Sequence, residues 1–275
     1  MIAILMSTYN GARYLAQQLD SILAQTYADW KLTVRDDGST DDTLRILQEY
    51  AKADKRISVL TDGENIGACC SFERLLTQCD DAEYYAFCDQ DDMWRSDKLA
   101  LSLDAMQQAE AAHPGKPIVV HTDLQVVDEN MTEIAPSFWR YSNIQADLLD
   151  AHIRYLAICN SVTGCAMLFN KAARDCSLPM SADAYMHDAW LALMTAYHGG
   201  FVLPVHQTPV AYRQHGDNVL GAIHYSTFGR SVEQRKYEAR VSYARAKGYV
   251  YRNKVQFLLW KTIYFLHRSL WVLVR

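Results

Sequence analysis

The sequence lacks the marks of several common protein classes. Its 275 residues contain no uncharged apolar stretch approaching the roughly 18–20 residues needed to cross a bilayer. Residues 1–6 are apolar but have no basic segment before them, and the chain turns polar at Ser7, which argues against a signal peptide. The seven cysteines are odd in number and form no C-x-x-C pair, so we expect free thiols in a reducing cytosol and no zinc site.

Two further absences concern ligands. No glycine-rich loop of the G-x-G-x-x-G or G-x-x-x-x-G-K-[ST] type is present, so a bound phosphate would need a metal ion or basic side chains. A formal net charge of −5 argues against a nucleic-acid partner. The charge is segregated, however: residues 230–275 have 11 Lys or Arg and 2 Glu (+9), and residues 1–229 have 16 basic and 30 acidic residues (−14).

Strand and helix signals alternate through the first half of the chain. Helical spacing of apolar residues predicts helices at residues 12–25, after Ser39 or Thr40 as N-cap, and at residues 69–79. Short apolar runs predict strands at residues 2–6, 31–34, 57–60 and 84–88. Strands joined by helices form right-handed crossovers, so the predicted fold class is α/β with a mostly parallel central sheet flanked by helices.

The second half of the chain is less regular. It predicts strands at residues 118–127 and 161–169, a helix at 184–197, and short strands at 202–203 and 210–212. No repeat or proline-rich linker divides the chain, so we expect one domain over residues 1–225 and a basic amphipathic helical region over residues 226–275. The regular residues 1–115 and the less regular residues 116–225 would form the two halves of the domain.

Polar clusters directly follow three of the predicted strands, at residues 7–10, 36–39 and 89–92. Open α/β sheets bind ligands at the carboxyl ends of their strands, so these clusters should meet in one crevice. Asp89-Gln90-Asp91-Asp92 has three carboxylates in four residues, which suits a hard divalent cation, although a solvated acidic turn has the same composition. Asp36 and Asp37 could hold a nucleotide base or ribose, or only cap the next helix.

These motifs, taken in order, resemble the opening of a family-2 glycosyltransferase. The resemblance rests on Ser7-Thr8-Tyr9-Asn10-Gly11, Ser21-Ile22-Leu23-Ala24-Gln25-Thr26-Tyr27, Asp36-Asp37-Gly38-Ser39-Thr40-Asp41-Asp42-Thr43, Asn65-Ile66-Gly67 and Phe87-Cys88-Asp89-Gln90-Asp91-Asp92-Met93-Trp94. It covers about residues 1–220 and is nearest to the rhamnosyl- and galactosyltransferase-like branch that builds bacterial surface polysaccharides. It implies a GT-A fold, a nucleoside-diphosphate sugar donor, Mn²⁺ or Mg²⁺ as cofactor, and inversion at the anomeric carbon.

The resemblance also implies roles for single residues. The donor site would use Thr8, Tyr9, Asn10, Asp36, Asp37, Asn65, Gly67, Asp89 and Gln90. Asp91 would bind the metal, with Asp89 and His215 as further ligands. Asp188 would be the base that takes the proton of the acceptor hydroxyl; without the resemblance, a carboxylate that stabilises the start of a helix explains it as well. Weaker candidates for acceptor or diphosphate contacts are Trp94, His187, Trp190 and Arg213.

Long-chain synthases of this family carry a Q-x-x-R-W motif where this chain has Tyr212-Arg213-Gln214-His215. The difference favours addition of a single sugar, to a lipid-linked or oligosaccharide acceptor, over processive polymerisation. Two alternatives remain. A nucleotidyltransferase uses a similar base-binding sheet, but residues 7–11 have neither the glycine-rich loop nor the basic residue that class needs. A non-catalytic membrane-associated homologue would be expected to have lost its carboxylates.

The basic tail has a regular pattern of its own. Arg240, Lys247, Lys254, Lys261, Arg268 and Arg275 recur every seven residues, which on a helix gives one stripe with about 20° of drift per step. With the Trp, Tyr and Leu residues between them, these cations predict contact with the anionic inner membrane, on its cytoplasmic face. The alternative is that the apolar residues pack on the catalytic domain or on another subunit, so an oligomer is possible.

Overall fold

A computed structural model gives the fold of residues 1–182, 184–216, 222 and 247–274, with side chains described as far as Arg268. Eleven strands in the described residues form two sheets. In chain order they are β1 (Ile2–Thr8), β2 (Trp30–Asp36), β3 (Ile57–Thr61), β4 (Tyr84–Cys88), β5 (Met93–Trp94), β6 (Ile118–Thr122), β7 (Gln125–Val127), β8 (Glu133–Ala135), β9 (Met167–Asn170), β10 (Phe201–Val205) and β11 (Val210–Arg213).

Helices connect these strands and cover the sheet. They are α1 (Leu15–Leu23), α2 (Thr43–Ala53), α3 (Ala68–Gln78), α4 (Lys98–Ala112), α5 (Phe138–Tyr141), α6 (Ala146–Asp150), α7 (Ile153–Leu156), α8 (Lys171–Ser177), α9 (His187–Tyr197) and α10 (Lys254–Val274). Among the described residues, no helix combines the length and the apolar character that crossing a membrane requires.

The main sheet has the strand order β10-β6-β9-β4-β1-β2-β3. Strand β1 lies between β2 and β4 and is parallel to both. Its side chains alternate between two cores: Ile2, Ile4 and Met6 pack on one face of the sheet, and Ala3 and Leu5 on the other. Because both faces are buried, the strand reads as a continuous apolar run, as is typical of a parallel sheet under two helical layers.

The first half of the chain confirms the predicted alternation of strands and helices. The predicted N-cap of α2 is wrong, because this helix begins at Thr43. Thr43 donates from its backbone N–H and its hydroxyl to Asp41, at 3.0 and 2.5 Å, and Ser39 instead donates from both groups to Asp36. The hydrogen bonds of the acidic turn therefore hold residues 36–42 as a loop before the helix starts.

The second half corrects two predicted strands. The stretch 118–127 splits into β6 and β7, which belong to different sheets, because the buried Asp123 carboxylate accepts from the backbone N–H groups of Leu124 and Trp139 and ends the first strand. The stretch 161–169 is a loop and a 3₁₀ turn, Gly164–Ala166, before β9 begins. Strand β9 runs antiparallel to both neighbours, β4 and β6.

The second sheet has the order β5-β11-β7-β8 and lies behind the acidic loop that follows β4. The predicted domain boundary at residues 225 and 226 falls outside the described residues, as do Arg240 and Arg275 of the seven-residue cation pattern. Lys247 does not belong to α10. It precedes a turn in which Gly248 adopts a φ of +86°, so only Lys254, Lys261 and Arg268 share the described helix.

Candidate active site

A cavity of about 620 Å³ opens at the carboxyl ends of β1, β2 and β4, opposite the first turn of α9. Nine of the residues predicted for the site line it: Tyr9, Asp37, Asn65, Gly67, Asp89, Gln90, Asp91, His187 and Asp188. The three polar clusters after the strands thus converge, as the parallel order predicts. The remaining wall comes from the second half of the chain, through Phe138, Ile144 and residues 160–164.

The structure distinguishes Asp36 from Asp37. Asp36 is buried behind the cavity wall, where it accepts from the Thr8 hydroxyl at 3.1 Å and from the backbone N–H and hydroxyl of Ser39. Its oxygens and the Thr8 side chain therefore organise the loop. Asp37 lines the cavity and accepts from the backbone N–H groups of Ile66 and Gly67, both at 2.9 Å. Of the two carboxylates, Asp37 is the one that lines the cavity.

A buried arginine that the sequence analysis did not select holds Asp37 in place. Arg35 is only 1% exposed and donates from one guanidinium nitrogen to Asp37 and Ser71, and from the other to Asp62 and the backbone oxygen of Glu64. A planar fork of donors suits this bridging task. The only sequence signal was a charged residue inside an otherwise apolar strand, directly before the two aspartates.

Gln90 joins the loop after β1 to the acidic loop after β4. It accepts from the Tyr9 backbone N–H at 2.9 Å and donates to the Tyr9 backbone oxygen at 3.0 Å. A Cβ on Gly11 would lie 2.2 Å from the Gln90 Oε1 atom, so this pairing requires glycine at position 11. Asn10, in the left-handed region at φ +46°, accepts from the Thr40 N–H at 2.9 Å and also serves the loop.

The acidic loop, residues 89–92, brings several carboxylates close together. Burial, together with the negative charges of Asp91 and Asp188, raises the pKa of Asp89 to about 7. Asp91 is 2.8 Å from the Nε2 atom of His215, so two of the predicted metal ligands contact each other. The Asp89 carboxylate lies within 4.8 Å of ligand atoms of Asp92 and Cys165. Its role as a metal ligand stays a prediction.

The residues present fit a hard divalent cation at Asp91. Carboxylate oxygens are the donors that Mn²⁺ and Mg²⁺ prefer, and the charge that raises the pKa of Asp89 is the charge a cation would offset. Cys165 suits such an ion poorly, because hard divalent cations take oxygen donors and a thiolate is a soft ligand. Asp91 with His215 or Asp89 would be the donor set.

Two charged groups lie behind the acidic loop: Asp92, which belongs to the predicted carboxylate cluster, and Lys98, which the sequence did not single out. Asp92 is fully buried and accepts from the Arg213 backbone N–H at 3.1 Å, while its second oxygen has no partner among the described residues. Lys98 is equally buried, and its ammonium lies 3.6 Å from the centre of the Trp94 ring. Burial lowers the pKa of Lys98 to about 8.

Asp188 lies in the first turn of α9 and is held by two backbone donors. Its carboxylate accepts from the Gly164 N–H at 3.1 Å and from the Ala189 N–H at 2.6 Å. Gly164 belongs to the 3₁₀ turn before β9, and a side chain at that position would meet His187 Nε2 at 2.9 Å. The fixed carboxylate faces the same cavity as Asp89 and Asp91.

The His187 side chain is surrounded by aromatic rings and not by polar groups. Its ring stacks on Phe72 with centroids 3.8 Å apart and meets the edge of Phe87 at 4.6 Å. Neither ring nitrogen has a hydrogen-bond partner among the described residues, and burial lowers the pKa of His187 to about 3. The imidazole is therefore neutral at physiological pH and does not form an ion pair with Asp188.

Three residues predicted as acceptor or diphosphate contacts do not line the cavity. Arg213 is buried and donates to the backbone oxygens of Asp91 and Glu129 and to the Gln17 side chain. Its guanidinium is committed to holding the acidic loop. Trp94 packs over Lys98, and Trp190 donates from its indole to the Ser177 backbone oxygen at 2.7 Å. In the described residues these three side chains make contacts within the protein, and their predicted ligand contacts stay predictions.

The family model of glycosyl transferase family 2 matches residues 3–177. This match spans more than half of the chain, so the protein belongs to glycosyl transferase family 2. The resemblance on which the sequence analysis relied is thereby confirmed.

Curated relatives match shorter segments. The chain is 36% identical over 112 residues to the putative teichuronic acid biosynthesis glycosyltransferase TuaG of Bacillus subtilis, covering 41% of this chain and 44% of that protein. It is 34% identical over 106 residues to the UDP-Glc:alpha-D-GlcNAc-diphosphoundecaprenol beta-1,3-glucosyltransferase WfgD of Escherichia coli, covering 38% and 41%. The aligned segments thus span less than half the length of these relatives.

Solved structures resemble the fold. TarS 1-349 of S. aureus in complex with UDP-GlcNAc superposes with a TM-score of 0.61 at 18% identity, covering 91% of this chain and 67% of that one. The mannosyltransferase PcManGT of Pyrobaculum calidifontis, in complex with GDP-Man and Mn²⁺, gives a TM-score of 0.62 at 18% identity, with 89% and 63% coverage. The chain has the GT-A type of α/β fold.

Proposed function

We propose that the protein transfers one sugar from a nucleoside-diphosphate sugar to a lipid-linked or oligosaccharide acceptor, with inversion, in bacterial surface-polysaccharide synthesis. The observation that carries the proposal is the position of Asp188. It shares one cavity with Asp37 and with Asp89, and its charge contributes to the raised pKa of Asp89. A base and a diphosphate site facing each other are what a direct displacement requires.

The chemistry assigns a task to each side of the cavity. Asp37 and the backbone of residues 65–67 would hold the nucleotide, since Arg35 and two N–H groups fix that carboxylate. Asp188 would take the proton of the acceptor hydroxyl while the acceptor oxygen bonds to the anomeric carbon. The bond from that carbon to the diphosphate oxygen breaks, and its electron pair leaves with the nucleoside diphosphate. Mn²⁺ or Mg²⁺ bound at Asp91 would neutralise the charge of the departing diphosphate.

The backbone contacts of Asp188 support its role as a base. Because the Gly164 and Ala189 N–H groups fix the carboxylate, it has a defined direction before the acceptor arrives. The neutral His187 beside it supplies no competing proton.

The donor assignment is tested by a panel of UDP-, GDP- and dTDP-sugars, each with and without Mn²⁺. We expect one donor to raise the melting temperature only when metal is present, and the same donor to be consumed when a lipid-diphosphate sugar acceptor is added. Inversion is read from the anomeric configuration of the product by NMR. A retained configuration would exclude direct displacement by Asp188.

The base is tested with Asp188→Asn, with Asp104→Asn as matched control on the exposed face of α4. Removing a general base lowers turnover by about 10²–10⁴-fold. We expect that loss for Asp188→Asn with donor-induced stabilisation retained, and none for Asp104→Asn. Normal turnover in Asp188→Asn would remove Asp188 from this role. Transfer of a nucleotidyl group in the panel would instead favour the nucleotidyltransferase alternative.

A further inference from the structure

Helix α10 packs on the catalytic domain with one narrow face. Phe257 and Tyr264, each 2% exposed, enter a cluster with side chains from α6, α7 and α9. The hydroxyl of Tyr155 lies 2.6 Å from His267 Nδ1, and Arg268 donates to the Asn143 backbone oxygen at 3.1 Å. These contacts fix the rotation of the helix about its own axis and thereby determine which side chains face outward.

The outward face is mostly apolar, with the exposed Thr262 among its residues. Its large exposed side chains are Val255 at 76%, Leu258 at 49%, Leu259 at 57%, Phe265 at 47% and Leu266 at 60%. At about 100° per residue they lie within an arc of about 120°, roughly opposite Phe257 and Tyr264. An exposed apolar stripe of this kind on a helix marks a surface that binds something else.

The cations of the helix follow one border of this face. Lys254, Lys261 and Arg268 fall within about 40° of one another on the same geometry, between the packed side and the exposed apolar side. Arg268 is held by the Asn143 backbone oxygen, whereas Lys254 is exposed. A long basic side chain at such a border can reach an anionic headgroup while the apolar residues enter the acyl layer. The seven-residue pattern in the sequence predicted that the cations themselves form the contact surface. In the structure the cations lie at one edge of the outward face, and the exposed leucines and Phe265 occupy most of that face.

The helix is also close to the cavity. Arg268 binds the backbone oxygen of Asn143, and the next residue, Ile144, both lines the cavity and packs against the cluster that contains Phe257 and Tyr264. One layer of side chains therefore separates α10 from the acceptor-side wall. A surface on which α10 lies would face the side of the cavity that the second half of the chain builds.

We infer that the outward face of α10 binds an anionic lipid surface as an interfacial helix and places the acceptor side of the cavity at that surface. The occupant is a membrane because an apolar face bordered by cations, in a segment with a charge of +9, matches an apolar layer beneath negative headgroups. The protein would thus be peripheral at the cytoplasmic face of the inner membrane, which suits a lipid-linked acceptor and rests to that extent on the proposed function.

The test is co-sedimentation of the full chain with vesicles of phosphatidylcholine alone and of phosphatidylcholine with about a third phosphatidylglycerol. We expect binding to the anionic vesicles that weakens as NaCl is raised. Leu259→Ser/Leu266→Ser should lower the partition coefficient by about tenfold or more, because both side chains are more than half exposed before binding. No change in this variant would overturn the inference.

Charge variants distinguish a specific role of the α10 lysines from an effect of net charge alone. Lys254→Gln/Lys261→Gln should weaken binding to anionic vesicles and reduce its salt dependence, whereas Lys52→Gln/Lys55→Gln, an equal charge change on exposed residues near α2, should not. Equal losses in both pairs would refute the assignment to α10. Ile134→Ser, at a 46% exposed site on β8, is the matched apolar control.

A second copy of the chain is the rival occupant. If light scattering gives a dimer that Leu259→Ser/Leu266→Ser converts to a monomer, while vesicle binding stays unchanged, the face is a subunit interface and the inference is wrong. Vesicle binding is measured without donor or acceptor, so its failure and a failure of sugar transfer are separate outcomes.

Discussion

Gly11→Ala should act through a side chain that is far away in sequence. A Cβ at position 11 would lie 2.2 Å from Gln90 Oε1 and 2.4 Å from its Cδ atom, which is well inside contact distance. The Gln90 side chain is flexible and would swing away, since its end is not backbone. Doing so breaks both hydrogen bonds to Tyr9, at 2.9 and 3.0 Å.

The magnitude follows from those two hydrogen bonds. A protein hydrogen bond contributes about 0.5–1.5 kcal/mol net, so their loss should cost about 1–3 kcal/mol of unfolding free energy. Water reaches this loop, which favours the lower half of that range. Gln90→Ala removes the same two bonds directly and should cost a similar amount. The two substitutions should not add, because they remove one interaction.

A double-mutant cycle measures this coupling by urea unfolding of the wild type, both single variants and the double variant. We expect an interaction energy of about 1–2 kcal/mol, with the double variant close to either single variant. The apparent affinity for the donor should fall in the same variants. The reason is that the Gln90–Tyr9 hydrogen bonds join the two loops on the side of the cavity that we propose binds the nucleotide. Additive losses would refute the reasoning, since they would mean that Gly11 and Gln90 act independently.

Three further outcomes test other parts of the site. Asp37→Asn should cost about 3 kcal/mol of unfolding free energy because it breaks a buried ion pair with Arg35, whereas Asp42→Asn, in an exposed pair, should cost less than about 1 kcal/mol by urea unfolding. Equal costs would contradict the network. Asp91→Ala should abolish Mn²⁺-dependent stabilisation by donor in a thermal-shift assay, and full retention would remove Asp91 from the metal site. His187 has a folded pKa of about 3 against 6.5 unfolded, so acid favours the unfolded state, which alone takes up the proton. The wild type should therefore lose about 2–3 kcal/mol more than His187→Gln between neutral pH and about pH 4.5, and equal slopes would contradict the assignment.

The first half of the chain was predictable because its strands and helices follow from the pattern of apolar and polar residues close together in the sequence. Apolar runs that both faces of the sheet bury, such as residues 2–6, and polar residues where those runs end indicate a parallel sheet and its binding edge. Family motifs then point to Asp37, Asp91 and Asp188. All three line the cavity, and their catalytic and binding roles stay predictions.

The rest depends on contacts between distant parts of the chain. Asp36 and Asp37 are neighbours with the same chemistry, and only the position of Arg35 and of residues 66 and 67 distinguishes them. In the sequence, Arg213 lies in a polar loop and could bind a diphosphate. In the structure its guanidinium donates to the backbone oxygens of Asp91 and Glu129. No periodicity in the sequence reveals which polar group a fold will bury.

The reversed strand β9 has a consequence for how this site can diversify. Because β9 enters the sheet from the edge at which β4 ends, its preceding turn delivers Gly164 to Asp188 beside the acidic loop. The donor side is built where parallel strands stop, and the opposing side where an antiparallel strand starts. Insertions or deletions in residues 138–163 can therefore reshape one wall of the cavity without shifting the register of β1, β2 and β4, so that under the proposed function the acceptor side could change while the donor side stays the same.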